Sequence, residues 1–441
     1  MKPVKYFIST LSLLVMTQQH PVAFAARNAI DYYKLGNDKA ATGDYNGAIT
    51  NYTKAIKREP KNAKAFNNRA SVKMSVGDKS GALADYKKAV ALDPRYAEAH
   101  YNYAIARGEA GDYAGAIISY TKALELNPQL TTIYFNRGVA RWSVGDNEGA
   151  VADYSRSLEL FPDNADTYNN RGLTKNRLGD KQGANADLLD AARLYFKSGL
   201  AKAGKGDNKG AVDDYTRVIK LTPKYADVYN NRGKAKHDLG DKEGALADFS
   251  TSIELNPTQE LAYNNRAFVK IALGDKVGAL ADYSAVIEKN PTSADAYLKR
   301  GVAQSSFGDF KSAEADFTKA IDNNKQFVLA YLNRGNARLK LDDKDGAIAD
   351  YSKIIAIDPK NPDGFFNRGF VKAELGDNQG AIADYTAAIA CDANYTKAYY
   401  RRGVAKSNLG DEAGAVVDMQ SAAKAGLNSA QVLLKKKGIT W

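Results

Sequence analysis

Apolar and polar positions follow a helical period along this chain, and a short polar turn interrupts the pattern at regular intervals. Eleven of the turns open with Gly-Asp and one opens with Asp-Asp. The opening residues are Gly43, Gly77, Gly111, Gly145, Gly179, Gly206, Gly240, Gly274, Gly308, Asp342, Gly376 and Gly410. Every step between them is 34 residues, except the step from Gly179 to Gly206, which is 27. A fixed period in this range predicts stacked repeats, each burying its apolar face only against its neighbours.

Each repeat is predicted to hold one helix before the turn and one after it. Eleven positions before the turn opening, eleven repeats have an aromatic residue, and His100 is the exception. Nine positions after it, ten repeats have an aromatic residue, such as Tyr52. Because Gly costs a helix about 1 kcal/mol against Ala, recurring Gly residues such as Gly138 indicate that two helices approach closely there. The Asp of each turn is suited to cap the second helix, and eight repeats then end in Pro.

A 34-residue helix–turn–helix unit with these small and aromatic positions and a closing Pro resembles the tetratricopeptide repeat. The resemblance covers about residues 27–427. It implies an all-α fold, an α-solenoid of about twelve helix pairs wound into a right-handed superhelix. It also implies a concave groove lined by the first helices. Residues 428–441 are predicted to form a capping helix, up to Lys437, and a short tail.

The 27-residue step marks a place where a loop is missing. Leu194 ends one predicted second helix, and Tyr195 already begins the next first helix. The segment from Ala184 to Lys202 contains no Pro, so the two helices are predicted to fuse; a very tight turn near Leu194 is the alternative. The junction at 184–205 would divide the array into five repeats over 26–194 and seven over 195–427.

Residues 1–25 have the pattern of a secretory signal peptide. Lys2 and Lys5 precede an apolar stretch, and Ala23-Phe24-Ala25 offers small residues for cleavage before Ala26. The apolar stretch is too short to span a bilayer, which disfavours the alternative of a retained membrane anchor. We therefore expect an extracytoplasmic protein, periplasmic or secreted, with no transmembrane segment in the mature chain.

The net charge of +11 is distributed in columns that follow the repeat. Eight residues before the turn opening, nine repeats have Arg: Arg69, Arg137, Arg171, Arg232, Arg266, Arg300, Arg334, Arg368 and Arg402. Eight residues after it, ten have Asp: Asp85, Asp153, Asp187, Asp214, Asp248, Asp282, Asp316, Asp350, Asp384 and Asp418. Two antiparallel helices place these columns at the same height, so we predict ion pairs that bridge helices, within one repeat or between neighbours. The matching Asp column argues against the alternative, an Arg stripe that binds phosphates.

A further basic column lies four residues after the Arg column and is broken by Gln304. It includes Lys73, Arg141, Lys236, Lys270 and Lys372. Its orientation does not follow from the sequence, and the simplest interpretation is a solvated face.

One residue before the Arg column, every repeat has Asn or a basic residue. The Asn residues are Asn68, Asn102, Asn136, Asn170, Asn231, Asn265, Asn333 and Asn367, and the basic ones are Lys34, Lys197, Lys299 and Arg401. The resemblance implies that this column faces the groove, where Asn can donate to and accept from the backbone of an extended peptide. The alternative is that each Asn bonds a neighbouring helix.

The last three repeats also resemble tetratricopeptide domains that grip a C-terminal carboxylate. The matching residues of this candidate carboxylate clamp are Asn336, Asn367, Lys397 and Arg401, whereas Leu332 stands where the first Lys of the pattern belongs. The clamp predicts that a peptide with an acidic C-terminus binds repeats ten to twelve.

Chemistry-bearing motifs give no indication of catalysis. His and Cys residues show no metal-ligand spacing, and no nucleophile motif is present, so we predict no enzymatic activity, no cofactor and no metal. The single cysteine, Cys391, takes the place that Leu255 holds in another repeat, and is expected to be a buried apolar residue.

These features together favour a non-enzymatic scaffold that binds extended peptide or protein segments in the groove. The alternative is an envelope or polysaccharide assembly or secretion factor, with carbohydrate held by groove Asn residues and aromatic rings. Those rings would be Tyr33, Tyr101, Phe135, Phe366 and Tyr400. Nucleic acid is disfavoured as a partner, because the acids are interspersed with the bases. The oligomeric state is not indicated by the sequence.

Overall fold

The computed structural model describes residues 28–441, so the predicted signal segment, residues 1–25, lies outside the described residues. The described part of the chain forms 24 α-helices and contains no strand. It falls into two compact units, the first ending at Lys224 and the second covering Tyr225–Trp441. Successive helices pack as pairs, so the all-α solenoid of helix pairs is confirmed.

The first unit holds repeats one to six. Its helices are α1 (Ala29–Ala41), α2 (Tyr45–Arg58), α3 (Ala63–Ser75), α4 (Lys79–Leu92), α5 (Ala97–Glu109), α6 (Tyr113–Leu126), α7 (Thr132–Val144), α8 (Asn147–Leu160), α9 (Ala165–Arg177), α10 (Lys181–Gly204) and α11 (Asn208–Leu221). Odd-numbered helices up to α9 are first helices and the even-numbered ones up to α8 are second helices. Neighbouring first helices also touch, from α1 through to α9.

The second unit holds repeats seven to twelve and the cap. Its helices are α12 (Ala226–Asp238), α13 (Lys242–Leu255), α14 (Glu260–Ala272), α15 (Lys276–Lys289), α16 (Ala294–Ser306), α17 (Phe310–Asn323), α18 (Val328–Lys340), α19 (Lys344–Ile357), α20 (Pro362–Glu374), α21 (Asn378–Cys391), α22 (Thr396–Asn408), α23 (Glu412–Lys424) and α24 (Asn428–Lys436). The predicted capping helix is confirmed as α24, which packs on α23 through the buried Ala430 and Leu434.

The turn inside each repeat combines one backbone conformation with one cap. The turn-opening Gly residues have φ between 79° and 88°, the left-handed region that Gly adopts without steric cost. Asp342 has φ 62°, and within residues 28–441 it is the only residue other than Gly with a positive φ. The next Asp caps the second helix, as where Asp146 accepts from the Gly149 N–H at 2.9 Å. The N-cap prediction is confirmed.

Close packing explains the recurring Gly of the first helix. A Cβ on Gly138 would lie 2.7 Å from Cε1 of Tyr154, a ring that is fully buried on the second helix of the same repeat. The Gly near the start of the second helix has a different reason. A Cβ on Gly149 would crowd the capping carboxylate of Asp146 and not the neighbouring helix.

One continuous helix occupies the place of the missing loop. Helix α10 runs over 24 residues, with Leu194 and Tyr195 both buried in its middle. Asp187 in its first half bonds Arg171 of α9, and Gly199 in its second half lies against Tyr215 of α11. This helix therefore serves as the second helix of repeat five and the first helix of repeat six. The predicted division into arrays of five and seven repeats stays a prediction.

The expected burial of Cys391 is wrong, because this side chain is exposed. Cys391 is the last residue of α21, and the equivalent Leu255 at the end of α13 is also 37% exposed. The position lies at the rim of the helix pair and not in the core. His100 is half-buried in the aromatic column of α5, where its Nε2 lies 3.1 Å from the carbonyl oxygen of Pro94.

Candidate functional site

Nine Arg–Asp ion pairs, called the charge ladder below, join the two helices within single repeats. In each pair Nη2 of Arg lies 2.6–2.7 Å from Oδ1 of the Asp sixteen residues later, and Nε donates to the second oxygen. The Asp side chains are nearly buried, with 2–8% exposed. The prediction of bridging ion pairs is confirmed. The Arg residues are occupied by partners inside the protein.

The further basic column belongs to this ladder, so its interpretation as a solvated face is wrong. Lys73, Arg141, Lys236, Lys270 and Lys372 each reach the second oxygen of the ladder Asp, at 2.8–3.0 Å. The side chains are long enough to fold back along α3 or its counterparts toward the buried carboxylate. Each ladder Asp of this type is therefore held by two cations, and burial of one carboxylate is compensated by two charge-assisted contacts.

A hydroxyl column completes the ladder and connects consecutive repeats. Nη1 of the ladder Arg donates at 2.9–3.2 Å to a Ser or Thr on the second helix of the preceding repeat. The acceptors are Thr53, Thr121, Ser155, Ser250, Ser284, Thr318, Ser352 and Thr386. The sequence contained a signal for this hydroxyl column. Where the following repeat lacks the ladder Arg, the hydroxyl position holds Lys87 or Leu189 instead of Ser or Thr.

One face of each first helix in the second unit remains open to solvent. It consists of the residues thirteen, nine and six positions before the turn opening, a spacing of i, i+4 and i+7 that shares one helix face. All are exposed or half-buried. We call this set the first-helix surface: Asp227, Asn231, Lys234, Leu261, Asn265, Phe268, Asp295, Lys299, Val302, Leu329, Asn333, Asn336, Asp363, Asn367, Phe370, Lys397, Arg401 and Val404.

Some of these residues contact the preceding first helix. The guanidinium of Arg401 lies 4.9 Å from the ring centroid of Phe370, on the preceding first helix. The amide of Asn265 donates to Oδ1 of Asn230 at 2.9 Å, again one first helix back. Neighbouring first helices touch directly at α12–α14, α16–α18 and α20–α22.

Apolar side chains on this surface were not part of the sequence prediction. Leu261, Phe268, Val302 and Leu329 are 56%, 59%, 44% and 53% exposed, on three consecutive first helices. The four residues occupy two positions of one helix face, and exposed apolar surface that recurs in this way is typical of an interaction site. The sequence could have indicated this surface through the residues that recur at its positions. These two positions hold apolar residues in some repeats and charged ones in others, whereas the small column of the first helix is Gly or Ala in every repeat.

The predicted Asn column divides into three environments. Asn68 donates to the Tyr33 hydroxyl at 3.0 Å, and Asn102 donates to Asn67 at 3.1 Å; like Asn265, both bond the preceding first helix. Asn333 and Asn367 bond the backbone of their own helices, at the carbonyls of Leu329 and Asp363, and Asn231 is half-buried.

Asn136 and Asn170, in the first unit, are fully buried at 0% exposure. Asn136 lies beside the Tyr101 hydroxyl, and Oδ1 of Asn170 accepts from Asn169 at 3.4 Å. Their side chains fill space between first helices, so these two do not offer an amide to a segment that lies on the surface. Such a role stays a prediction for the exposed members of the column.

The four candidate clamp residues lie on α18, α20 and α22. Lys397 and Arg401 are exposed, and within residues 28–441 neither forms an ion pair. Asn336 accepts from the Tyr351 hydroxyl at 2.8 Å. The two cations therefore carry the charge that this end of the first-helix surface can offer to an acidic ligand.

Aromatic rings suggested for carbohydrate binding pack inside the repeats. Tyr101 and Phe135 are each 4% exposed, and their centroids lie 6.2 and 6.1 Å from the rings of Tyr120 and Tyr154. A sugar stacks on an exposed ring face, which these two do not provide. Phe366 and Tyr400 are half-buried.

Family models for the TPR repeat match residues 36–77, 74–111, 104–145, 143–179 and 199–240. Models described as tetratricopeptide repeat match residues 226–259, 294–327 and 328–361. Together they cover more than half of the chain. The chain belongs to the tetratricopeptide repeat family. Proteins of this family typically act as non-enzymatic scaffolds for interactions between proteins, and no curated protein matches this tetratricopeptide repeat chain in sequence.

Solved tetratricopeptide repeat structures resemble parts or most of the chain. A MamA protein is 27% identical over 38% of this chain and 92% of its own, with a TM-score of 0.36. A tetratricopeptide repeat protein from Parabacteroides merdae is 22% identical over 55% and 97%, with a TM-score of 0.42. Yeast Tom70 is 16% identical over 93% and 99%, with a TM-score of 0.37. All three scores lie below 0.5, so these structures support no argument about function.

Two further findings concern residues 28–441 of this tetratricopeptide repeat chain. None of their helices combines the length and the apolar character needed to cross a membrane. Their His, Cys, Asp and Glu side chains form no group of three or more that could hold a metal ion.

Proposed function

We propose that this protein is an extracytoplasmic scaffold that binds an extended segment of a partner protein along the first-helix surface of its second unit. The observation that supports the proposal is the exposed apolar set Leu261, Phe268, Val302 and Leu329 on three consecutive first helices. Amide and charged side chains lie between them on the same face. A surface of this composition suits a segment whose apolar side chains are buried while its backbone is hydrogen-bonded.

Electrostatics supports the same surface. The charge ladder occupies its Arg residues with Asp partners, so they do not attract a ligand. On the first-helix surface, in contrast, Lys397 and Arg401 have no carboxylate partner among the described residues. We therefore propose that the acidic end of the bound segment lies on α22, where the candidate clamp residues Asn336, Asn367, Lys397 and Arg401 meet it.

A peptide library displayed on phage and selected on residues 26–441 tests the surface. We expect the selected peptides to carry spaced apolar residues. Their affinity for the Phe268→Ser variant should be at least tenfold lower, because an aromatic side chain that becomes buried on binding contributes strongly to affinity. The matched control is Val277→Ser in the same repeat, because Val277 is 81% exposed on the second helix α15. Equal loss in both variants, or loss in the Val277 variant alone, would place the binding surface elsewhere.

The clamp is tested with selected peptides that end in an acidic residue. The double variant Lys397→Ala plus Arg401→Ala should weaken them, and amidation of the peptide C-terminus should weaken them equally. The charge-matched control is Lys353→Ala plus Lys360→Ala, which removes two exposed lysines outside the first-helix surface. Unchanged affinity in the Lys397 and Arg401 double variant contradicts the clamp and leaves the apolar surface untouched.

The proposed location is tested on the full chain expressed with its own residues 1–25. Cleavage before Ala26 predicts that mass spectrometry of the exported protein finds Ala26 as the first residue. Recovery of the chain only in the cytoplasm, with Met1 or Lys2 at its start, contradicts export.

A further inference from the structure

The third repeat lacks the Arg and the Asp of the charge ladder, and the preceding repeat lacks the hydroxyl that this Arg would meet. Tyr103 stands at the Arg position, Ser119 at the Asp position, and Lys87 at the hydroxyl position of the preceding repeat. Arg107, at the position of the further basic column, is retained. The third repeat therefore lacks the buried carboxylate but keeps a cation that, in other repeats, pairs with this carboxylate.

The neighbouring repeat shows what Arg107 lacks. There Asp153 is nearly buried, and it receives Nη1 of Arg141 at 3.0 Å as well as the ladder Arg. In the third repeat, Nη1 of Arg107 donates instead to the hydroxyl of Ser119 at 3.2 Å and to the carbonyl of Gly115 at 2.9 Å. Both acceptors are neutral, so neither compensates the charge of the guanidinium as the buried Asp does in the neighbouring repeat.

The carboxylate nearest to Arg107 does not replace the missing one. Oδ2 of Asp112 lies 3.5 Å from Nε, its side chain is 54% exposed, and its other oxygen caps α6. Arg141 has the same weak contact with Asp146 at 3.4 Å in addition to its buried Asp. Within the described residues, no acceptor lies within hydrogen-bonding distance of Nη2 of Arg107.

A cavity of about 570 Å³ opens where the carboxylate is missing. Arg107 and Ser119 both line it, and Val90, Ile117 and Ile118 supply apolar walls from α4 and α6. The guanidinium is held over the ring of Tyr103 at 4.1 Å, which fixes its orientation. Lys122 and Glu125 also line the cavity, and they are paired with each other at 3.0 Å. The cavity thus places an oriented cation, whose one carboxylate contact among the described residues is the exposed Asp112, beside apolar side chains.

We propose that this cavity binds a small organic monocarboxylate with an apolar body, whose carboxylate takes the place of the ladder Asp that Ser119 has replaced. The ligand carboxylate accepts from Nη2 of Arg107 and from the Ser119 hydroxyl, and its apolar body lies against Val90, Ile117 and Ile118. Charge-assisted hydrogen bonds in a partly desolvated site are the stronger kind, and the apolar walls remove the tail from water. The site lies among α4, α5 and α6 of the first unit, whereas the proposed partner surface lies on the first helices of the second unit, so the two can be tested independently.

Octanoate and its neutral amide, octanamide, test this proposal by isothermal titration calorimetry on residues 26–441. We expect saturable binding of one octanoate per chain and at least about tenfold weaker binding of octanamide, which lacks the charge. Equal affinities for the two probes, or no octanoate binding at millimolar concentration, would overturn the proposal.

Two variants locate the binding in the cavity. Ser119→Asp rebuilds the internal carboxylate, so it should abolish octanoate binding while the thermal midpoint stays equal or rises. Arg107→Gln should weaken binding about tenfold or more. The matched control is Arg141→Gln, which alters the same ladder position one repeat later, where Asp153 is present, and should leave the affinity unchanged. A Ser119→Asp protein that is folded and binds octanoate as the unmodified chain does would overturn the site.

Discussion

Arg137 and Asp153, sixteen residues apart, meet through two hydrogen bonds that join the helices of the fourth repeat. Nη2 of Arg137 lies 2.7 Å from Oδ1 and Nε lies 2.9 Å from Oδ2, a bidentate geometry in which only 4% of the Asp153 side chain is exposed. Arg141 contacts the same carboxylate, and Arg137 also donates to Thr121 of the preceding repeat. One buried acid thus holds both helices of its repeat and, through Arg137, the neighbouring repeat.

Substitution of Asp153 by Ala should destabilise the fourth repeat by about 3 kcal/mol, because two cations then remain partly buried without their acid. Long repeat arrays need not unfold in one step, so the measurement is hydrogen exchange of the α7 and α8 amides. We expect the increase in exchange to be centred on these two helices.

The control for this substitution is Asp163→Ala. Asp163 is exposed in the loop that ends the same repeat, so its removal should change stability by less than about 0.5 kcal/mol. Similar exchange in the two variants would mean that the ladder pair contributes little to stability.

The last ladder pair gives an acid-sensitive contribution to stability. Burial opposes ionisation of Asp418, but hydrogen bonds from Arg402 and Lys406 outweigh it and lower the pKa of the carboxyl. The folded pKa lies below the unfolded value of about 3.9, so the contribution is present above that pH and is lost as pH falls through the folded pKa. Asp418→Asn should therefore be less stable than the unmodified chain at pH 7, with the difference shrinking below about pH 4. Urea denaturation at several pH values checks this, and a difference independent of pH contradicts it.

Much of the fold could be predicted because the sequence contains twelve copies of one unit, and aligning them shows which residue types recur at each position. The Arg and Asp columns lie equally far from the turn on either side, and antiparallel pairing then fixes their contact. The interpretation of the further basic column as a solvated face was wrong for a geometric reason. Its side chains leave the helix at another angle, and only the packed position of the second helix decides whether Lys73 folds back to Asp85 or extends into water.

Burial of the Asn column could not be predicted from one repeat either. Asn68 and Asn136 have the same position in the sequence, yet Asn136 is fully buried and Asn68 is half-buried. Both lie beside a Tyr at the same position of the preceding first helix, Tyr33 and Tyr101, so this contact does not determine the burial. The exposed apolar residues of the second unit were missed because a recurring apolar position resembles a core position until its accessibility is known.

Gly138→Ala tests the close approach of the two helices in a repeat. The added Cβ would lie 2.7 Å from Cε1 and 2.9 Å from Cδ1 of the buried Tyr154, so the ring must shift. We expect a loss of about 2 kcal/mol although Ala favours the helix. Gly204→Ala at the end of α10 is the control, since a Cβ there meets nothing within 4 Å and should be neutral or stabilising by up to about 1 kcal/mol. Thermal denaturation measures the stability of both variants. A Gly138→Ala chain that is more stable than the unmodified chain contradicts the packing argument.

Asp342→Gly should stabilise the tenth repeat by about 1 kcal/mol, because Asp342 holds a left-handed conformation that costs a residue with a Cβ. Its side chain is 90% exposed, so little else is lost with it. The reciprocal change, Gly376→Asp at a turn with φ 84°, should destabilise by a similar amount. Urea denaturation measures both, and shifts of the same sign would show that the conformation does not control the effect.

Arg193→Pro tests the continuity of α10, the helix that replaces the missing loop. Arg193 lies in the middle of that helix, and its side chain is 74% exposed with one contact to Asp190 at 3.3 Å. Proline removes a backbone N–H donor and clashes with the preceding turn, so we expect a loss of about 3 kcal/mol or more. Arg193→Ala removes the same side chain without touching the backbone and should change stability by less than about 0.5 kcal/mol. Hydrogen exchange of α10 and the thermal midpoint compare the two variants. The loops that join other repeats contain Pro, as at Pro94 and Pro128, so a loop at this place would accept Pro as well. Equal stability of the Arg193→Pro and Arg193→Ala variants would therefore mean that the chain turns near Leu194.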